Sequence, residues 1–258
     1  TLIALWLATQ GWPGWTMFTV FVLGTWLMRS ARCALNDIAD RKFDAHVQRT
    51  SQRVLATGAI STREAVIVAL IFLAAAASLL WWLNDAACMW ACVAAAVAAS
   101  YPLFKRFFPM PQAYLGIAFS LGIPMAYAAL QGTVSMVGWV LFAANLFWVI
   151  AYDTEYAMVD RDDDLKLGLR SSAIFFGRAD VVMVMVCYAV YLAALAWLGY
   201  VLGLGYFFYV GWLVALGCAI YHYALIRTRR REACFRAFLH NHWLGLALFA
   251  GVALNYTY

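Results

Sequence analysis

The sequence predicts an all-α integral membrane protein, and three observations predict it. Of its 258 residues, 66% are hydrophobic and only 12% charged, whereas a soluble domain carries about 25% charged residues. The apolar residues gather into runs long enough to cross a bilayer, whose core requires about 20 mostly apolar residues per helix. The basic residues fall only in every second connection between those runs.

The runs place spans near 15–35, 64–83, 86–104, 113–131, 136–156, 179–199, 204–226 and 238–256. Thr1–Ala8 is apolar but too short for a span, and it lacks the basic flank of a signal peptide. It reads as the tail of a truncated first helix, which makes eight spans and part of a ninth.

The connections near Gln10–Trp15, Asn84–Asp85, Gln131–Ser135 and Gly199–Gly205 contain no Lys or Arg. All 18 basic residues lie in the alternate ones. Arg29, Arg32, Arg41, Lys42, Arg49, Arg53 and Arg63 belong to the first, counting span ends, and Lys105 and Arg106 to the second. Arg161, Lys166, Arg170 and Arg178 belong to the third, and Arg227, Arg229, Arg230, Arg231 and Arg236 to the last. Under the positive-inside rule these loops are cytoplasmic or matrix-facing, with the N-terminus inside and the C-terminus outside.

Topology and attraction to anionic headgroups therefore explain the net charge of +5. No basic stripe interleaved with stacking aromatics points to nucleic acid. The six cysteines form no C-x-x-C pair and read as small apolar residues rather than a disulfide framework. Trp81, Trp82 and Trp90 suit interfacial anchoring.

The acidic residues carry the chemical signal. Nine of 13 fall in two short segments, Asp37, Asp40 and Asp44 in one and Asp153, Glu155, Asp160, Asp162, Asp163 and Asp164 in the other. Each segment sits at the cytoplasmic end of an expected span, where an acid avoids much of the roughly 2.5–3.5 kcal/mol it costs at mid-membrane. If the helix continues through the first segment, Asn36, Asp40 and Asp44 recur every four residues and share a face. Asp160 and Asp164 repeat that spacing, with Asp153 two turns earlier. Such oxygen donors suit Mg2+, which takes one or two carboxylates and completes its shell with water and phosphate. A solvated cap or an ion-pair network explains one such cluster well. Two clusters on alternate cytoplasmic loops, flanked by bases, favour a diphosphate held between metal ions.

Arg49, Arg53, Lys105, Lys166 and Arg170 are the candidate bases for that diphosphate. Lys105 stands out because Tyr101-Pro102 is expected to break its helix. Arg227–Arg231 read as a plain headgroup-contacting run, and His240 and His242 as interfacial polar residues rather than a metal site.

The chain resembles the UbiA superfamily. Asn36-Asp37…Asp40…Asp44 is similar to its first signature, N-D-x-x-D-x-x-x-D, and Asp160…Asp164 to its second, D-x-x-x-D. The run Tyr152-Asp153-Thr154 through Asp164 to Gly168 looks like the 4-hydroxybenzoate branch, as do Tyr101-Pro102 with Lys105-Arg106 and Arg231–Phe235.

The resemblance spans residues 1–258 as one transmembrane prenyltransferase domain. It implies a nine-transmembrane-helix bundle around a central cavity, and Mg2+ at Asn36, Asp40, Asp44, Asp160 and Asp164. It implies polyprenyl diphosphate and 4-hydroxybenzoate as substrates, membrane lipid as surroundings and no nucleic acid. Asp40, Asp44, Asp160 and Asp164 would serve catalysis, with Asp153 at the phenol. Arg53 and Lys105 would bind diphosphate and Arg29 the acceptor carboxylate, with Tyr101 and Tyr156 also at the substrates. The chain departs from the family after Arg53, where Val54-Leu55-Ala56-Thr57-Gly58 replaces a Pro-Leu-Pro-Ser-Gly-like stretch.

Competing readings are a prenyltransferase for another aromatic acceptor and a membrane cation transporter, whose sites belong near the midplane. The compact chain favours the bacterial inner membrane.

Overall fold

In the computed structural model, residues 1–44 and 50–258 are described, with the side chains of all but 42–44 and 102–106. The described residues are helical or in turns, without a strand. Among the described residues eleven α-helices follow one another: α1 (Leu2–Thr9), α2 (Trp15–Asp44), α3 (Thr62–Ser78), α4 (Asp85–Phe107), α5 (Pro111–Ser120), α6 (Gly122–Gln131), α7 (Met136–Leu167), α8 (Ser172–Phe176), α9 (Asp180–Val201), α10 (Tyr206–Ile226) and α11 (Arg231–Asn255). A short 3-10 turn, Leu79–Trp82, extends α3.

Local chemistry accounts for several boundaries. Ser61 and Glu64 form a capping box at the start of α3: Glu64 N–H donates to Ser61 Oγ (3.2 Å) and Ser61 N–H to Glu64 Oε2 (2.7 Å). α7 stops at Gly168, whose φ of 65° suits a residue without Cβ, and Leu169 N–H closes the end on Asp164 O at 2.9 Å. The expected span 113–131 is divided at Leu121 because Pro124 has no N–H for the Ser120 carbonyl.

Three boundaries correct the sequence reading. α7 continues 11 residues beyond the expected 156, so the whole second acid segment is helical. α11 begins at Arg231, seven residues before 238. α4 does not break at Pro102 but runs on to Phe107. A helix absorbs the one hydrogen bond that proline removes when neighbouring helices support it.

Among the described residues six helical segments, Thr62–Trp82, Pro111–Gln131, Met136–Leu167, Ser172–Val201, Tyr206–Ile226 and Arg231–Asn255, are long and apolar enough to cross a membrane. α2 carries Arg29 and Arg32 within its apolar stretch, and the described apolar part of α4, Asp85–Tyr101, is shorter. The protein is an all-helical integral membrane protein. Side chains such as Leu70, Ile71, Leu213 and Val214 stand exposed on its outside, as suits contact with lipid.

α7 is the central rod and packs against α5, α9 and α11, while α2 pairs with α3 and α10 with α11. The α10–α11 approach requires glycine: a Cβ at Gly211 would lie 2.4 Å from the Ala247 carbonyl oxygen. Small residues at such crossings let backbones close up where lipid supplies no hydrophobic drive. The buried core runs through α1, α6, α7, α9, α10 and α11. On the other side, α2, α3, α4, α5, α7 and α11 surround a cavity of about 1500 Å³.

Candidate active site

Trp148, Tyr152, Tyr156, Asp160 and Asp164 recur every four residues along α7, drifting slowly round its axis, and all line that cavity. The helix thus offers an aromatic wall that ends in two carboxylates. From α2, Arg29, Arg32, Asn36, Asp37 and Asp40 line the same space. α2 does continue through the first acid segment, so Asn36 and Asp40 stand one turn apart on the cavity side. The two acid segments, more than 100 residues apart in sequence, therefore face one cavity. Tyr101 and Asp153 line it too, and the Tyr156 ring lies 4.5 Å from that of Phe238, centroid to centroid. Arg49 and the side chains of Asp44 and Lys105 lie outside the described residues.

The candidate bases fare differently. Arg53 lines the cavity and donates through Nη1 to Asp37 Oδ1 at 2.6 Å. Arg170 also lines it and donates to the Phe107 carbonyl, tying the segment after α7 to the end of α4. Lys166 is 77% exposed, away from the cavity lining, with Nζ 4.0 Å from Asp163 Oδ1.

The second acid segment is split by helical geometry. Asp160 and Asp164 face the cavity, whereas Asp162 and Asp163 point elsewhere and meet Arg231 at 3.5 and 3.0 Å. Arg229 pairs with fully buried Asp180 at 2.6 Å, and Arg161 reaches the same carboxylate at 2.9 Å. The hydrogen bond to Asp180 raises the pKa of the Arg229 guanidinium above its ordinary value. These bonds hold Arg229 at a φ of 53°, unusual for a residue with a side chain. Arg227–Arg231 are thus no plain headgroup run, since Arg229 and Arg231 clamp α11 and its preceding turn to α7 and α9.

Sequence reasoning missed four cavity residues. Arg32 lies over the rings of Tyr101 and Phe119, its Cζ 4.9 and 4.5 Å from their centroids. Its position four residues before Asn36 was the available signal. Gln112 accepts from Ser172 N–H at 2.8 Å, and Ser172 Oγ lies 2.7 Å from Thr154 Oγ1, which joins α5, α7 and α8. Trp148 donates to Asn241 Oδ1 at 3.0 Å. Trp148 continues the four-residue series of Tyr152, Tyr156, Asp160 and Asp164, whereas Gln112 and Asn241 carried no local signal, because their partners lie on other helices.

The donor set of Asn36, Asp40, Asp160 and Asp164 is all oxygen. Among the described residues no three His, Cys, Asp or Glu side chains converge to hold an ion by themselves. An all-oxygen set fits Mg2+, which takes one or two carboxylates and completes its shell with water and substrate phosphate.

A helical membrane bundle whose apolar cavity ends in carboxylates from two helices is built for a molecule with an anionic head and an apolar body. The comparisons narrow this class. Residues 1–245 match the UbiA prenyltransferase family, and the chain belongs to it. It is 57% identical over 256 residues to the 4-hydroxybenzoate octaprenyltransferase of Burkholderia vietnamiensis, covering 99% of this chain and 88% of that one. It is also 57% identical to the enzyme of that name from Herminiimonas arsenicoxydans, covering 99% and 90%. The fold is that of the apo UbiA homolog from Aeropyrum pernix K1, with a TM-score of 0.81, 24% identity and 96% of each chain covered. A UbiA homolog from Archaeoglobus fulgidus, solved with GPP and Mg2+, superposes with a TM-score of 0.71 at 17% identity, covering 98% and 94%.

Proposed function

We propose that this protein transfers a polyprenyl group from polyprenyl diphosphate to the ring of 4-hydroxybenzoate, ortho to the hydroxyl, in ubiquinone biosynthesis. The observation that carries the reading is the α7 wall, aromatic at Trp148, Tyr152 and Tyr156 and acidic at Asp160 and Asp164, facing Asn36 and Asp40 across one cavity. The names of the 57%-identical relatives support the acceptor. Their bacterial sources, with the alternating basic loops, support an inner-membrane protein whose acid segments face the cytoplasm.

In this reading Asn36, Asp40, Asp44, Asp160 and Asp164 would hold Mg2+, which supplies positive charge to neutralise the diphosphate. Arg53 and Lys105 bind the diphosphate oxygens. The allylic C–O bond breaks with its electron pair leaving on the diphosphate. Electrostatic stabilisation of that leaving charge supplies the largest part of such a rate enhancement.

Tyr152, Tyr156 and Phe238 place π faces around the allylic cation and keep water from it. Arg29 holds the acceptor carboxylate, Tyr101 flanks the site and Asp153 orients the phenol. The ring carbon ortho to the hydroxyl then bonds the allylic carbon, and loss of the proton from that ring carbon restores aromaticity.

The test is product formation by purified protein in detergent with 4-hydroxybenzoate and geranyl diphosphate, with and without Mg2+. A 3-prenylated product that disappears on chelation and returns with Mg2+ is expected. Binding of the diphosphate without product would move the acceptor to another aromatic compound.

A further inference from the structure

Glu155 lies on α7 between the cavity residues but does not line the cavity, and its side chain is fully buried. It belongs to a hydrogen-bonded cluster drawn from four helices. Asn241 Nδ2 donates to Glu155 Oε2 at 2.7 Å and to the Ala237 carbonyl at 3.1 Å. The Tyr188 hydroxyl lies 3.0 Å from Glu155 Oε1, 2.8 Å from Asn241 Oδ1 and 2.9 Å from His222 Nδ1. His222 Nε2 continues to His240 Nδ1 at 3.0 Å. Trp148 Nε1–H donates to Asn241 Oδ1 at 3.0 Å.

The protons available to the cluster fix its state. An indole N–H only donates, so the Asn241 atom facing Trp148 is the carbonyl oxygen, which only accepts. The contact between Tyr188 and that oxygen must use the single hydroxyl proton of Tyr188. The 3.0 Å contact between Tyr188 and Glu155 then needs a proton from Glu155. His222 Nδ1–H fills the remaining lone pair of Tyr188, and His240 Nδ1–H donates to His222 Nε2. Every contact then holds one proton. With an ionised Glu155, two acceptor oxygens would compete for one proton and leave a buried oxygen pair with none between, whichever way His222 is protonated. Two oxygens held 2.8 or 3.0 Å apart without a proton between them repel.

We infer that Glu155 is a neutral carboxylic acid and a positioning residue, which sets Asn241 and through it the Trp148 ring in the cavity wall. The Trp148 ring is bounded by Tyr191, stacked at 5.4 Å, and by Gly245, where a Cβ would lie 2.7 Å from it, and the bond to Asn241 fixes the rotation of the ring between them. Twelve residues separate Trp148 from Asp160, about 18 Å along the helix axis. A five-carbon donor held at the carboxylates does not reach that far, whereas a long polyprenyl chain does. This consequence rests on the proposed prenyl transfer; the protonation state does not.

The experiment compares wild type, Glu155→Gln and Glu155→Leu in detergent, with dimethylallyl and geranylgeranyl diphosphates as donors. Glutamine reproduces the bonds of the neutral acid, so E155Q is expected to match wild type within about twofold for both donors. E155L is expected to raise KM for the twenty-carbon donor about tenfold, from the loss of about 1.4 kcal/mol, and to leave KM for the five-carbon donor nearly unchanged. Infrared spectra, which need neither activity nor the folding of E155L, are expected to show a protonated-carboxyl C=O band in wild type that E155Q lacks. Loss of activity in E155Q, or absence of the band, overturns the neutral acid. Equal KM changes for both donors in E155L overturn the positioning role.

Discussion

Asp160 and Glu155 stand five residues apart on α7, yet Asp160 lines the cavity with Asp164 while Glu155 is sealed among Tyr188, Asn241 and His222. Asp162 and Asp163, between Asp160 and Asp164 in sequence, face a third environment and pair with Arg231. One helix thus carries acids for three purposes: Asp153, Asp160 and Asp164 toward a site, Glu155 into a neutral polar cluster, and Asp162 and Asp163 into an inter-helix clamp. A carboxylate's role follows from what the other helices bring to its face, since burial without a cation or a proton is too costly to persist.

The largest effect is expected at the cavity face. Asp160→Ala and Asp40→Ala are each expected to lower turnover at least about a thousandfold, roughly 4 kcal/mol of transition-state stabilisation. Thermal unfolding in detergent should shift little, because these side chains face the cavity rather than the packed core. A folded, active D160A protein would remove the cavity carboxylates from the chemistry.

The packed side should show the reverse pattern. Asp180→Ala takes away the buried carboxylate shared by Arg161 and Arg229. Breaking a fully buried pair costs about 3–5 kcal/mol. Because both arginines are partly exposed, about 2 kcal/mol is expected here, read as a lower unfolding midpoint with turnover per folded molecule retained. Lost turnover at unchanged stability would extend the site to α9.

The smallest effect tests the boundary between the two faces. Gly245→Ala puts a methyl group 2.7 Å from the Trp148 ring and forces the ring or α11 to shift. Overpacking of this kind costs about 1 kcal/mol, expected as a roughly fivefold rise in KM for a long-chain donor. No change would mean that the Trp148 ring yields freely and that the wall is softer than its hydrogen bond implies.

Much of this architecture is legible in the sequence. The spans at 179–199 and 204–226 agree with α9 and α10 to within a few residues, because a lipid-facing helix writes its length into a local run of apolar residues. The C-terminal end of α7 and the start of α11 lie beyond the apolar runs, where the helices continue through charged residues held by partners on other helices. The four-residue spacing of Asn36, Asp40, Asp160 and Asp164 placed them on helix faces, and all four line the cavity. Arg53 was legible as a base near the site, but not as the partner of Asp37.

Hydropathy, charge and helical spacing act over a few residues, so the sequence alone carries the all-helical membrane class, the alternation of basic loops with loops lacking Lys and Arg, and the two acid segments. Only the tertiary structure decided that the segments share one cavity, that Asp162, Asp163 and Asp180 belong to arginine clamps, and that Glu155 sits in a cluster with Tyr188, His222 and Asn241. The energy of a charge in low dielectric depends on groups within a few ångströms, and here those groups come from helices many residues away along the chain.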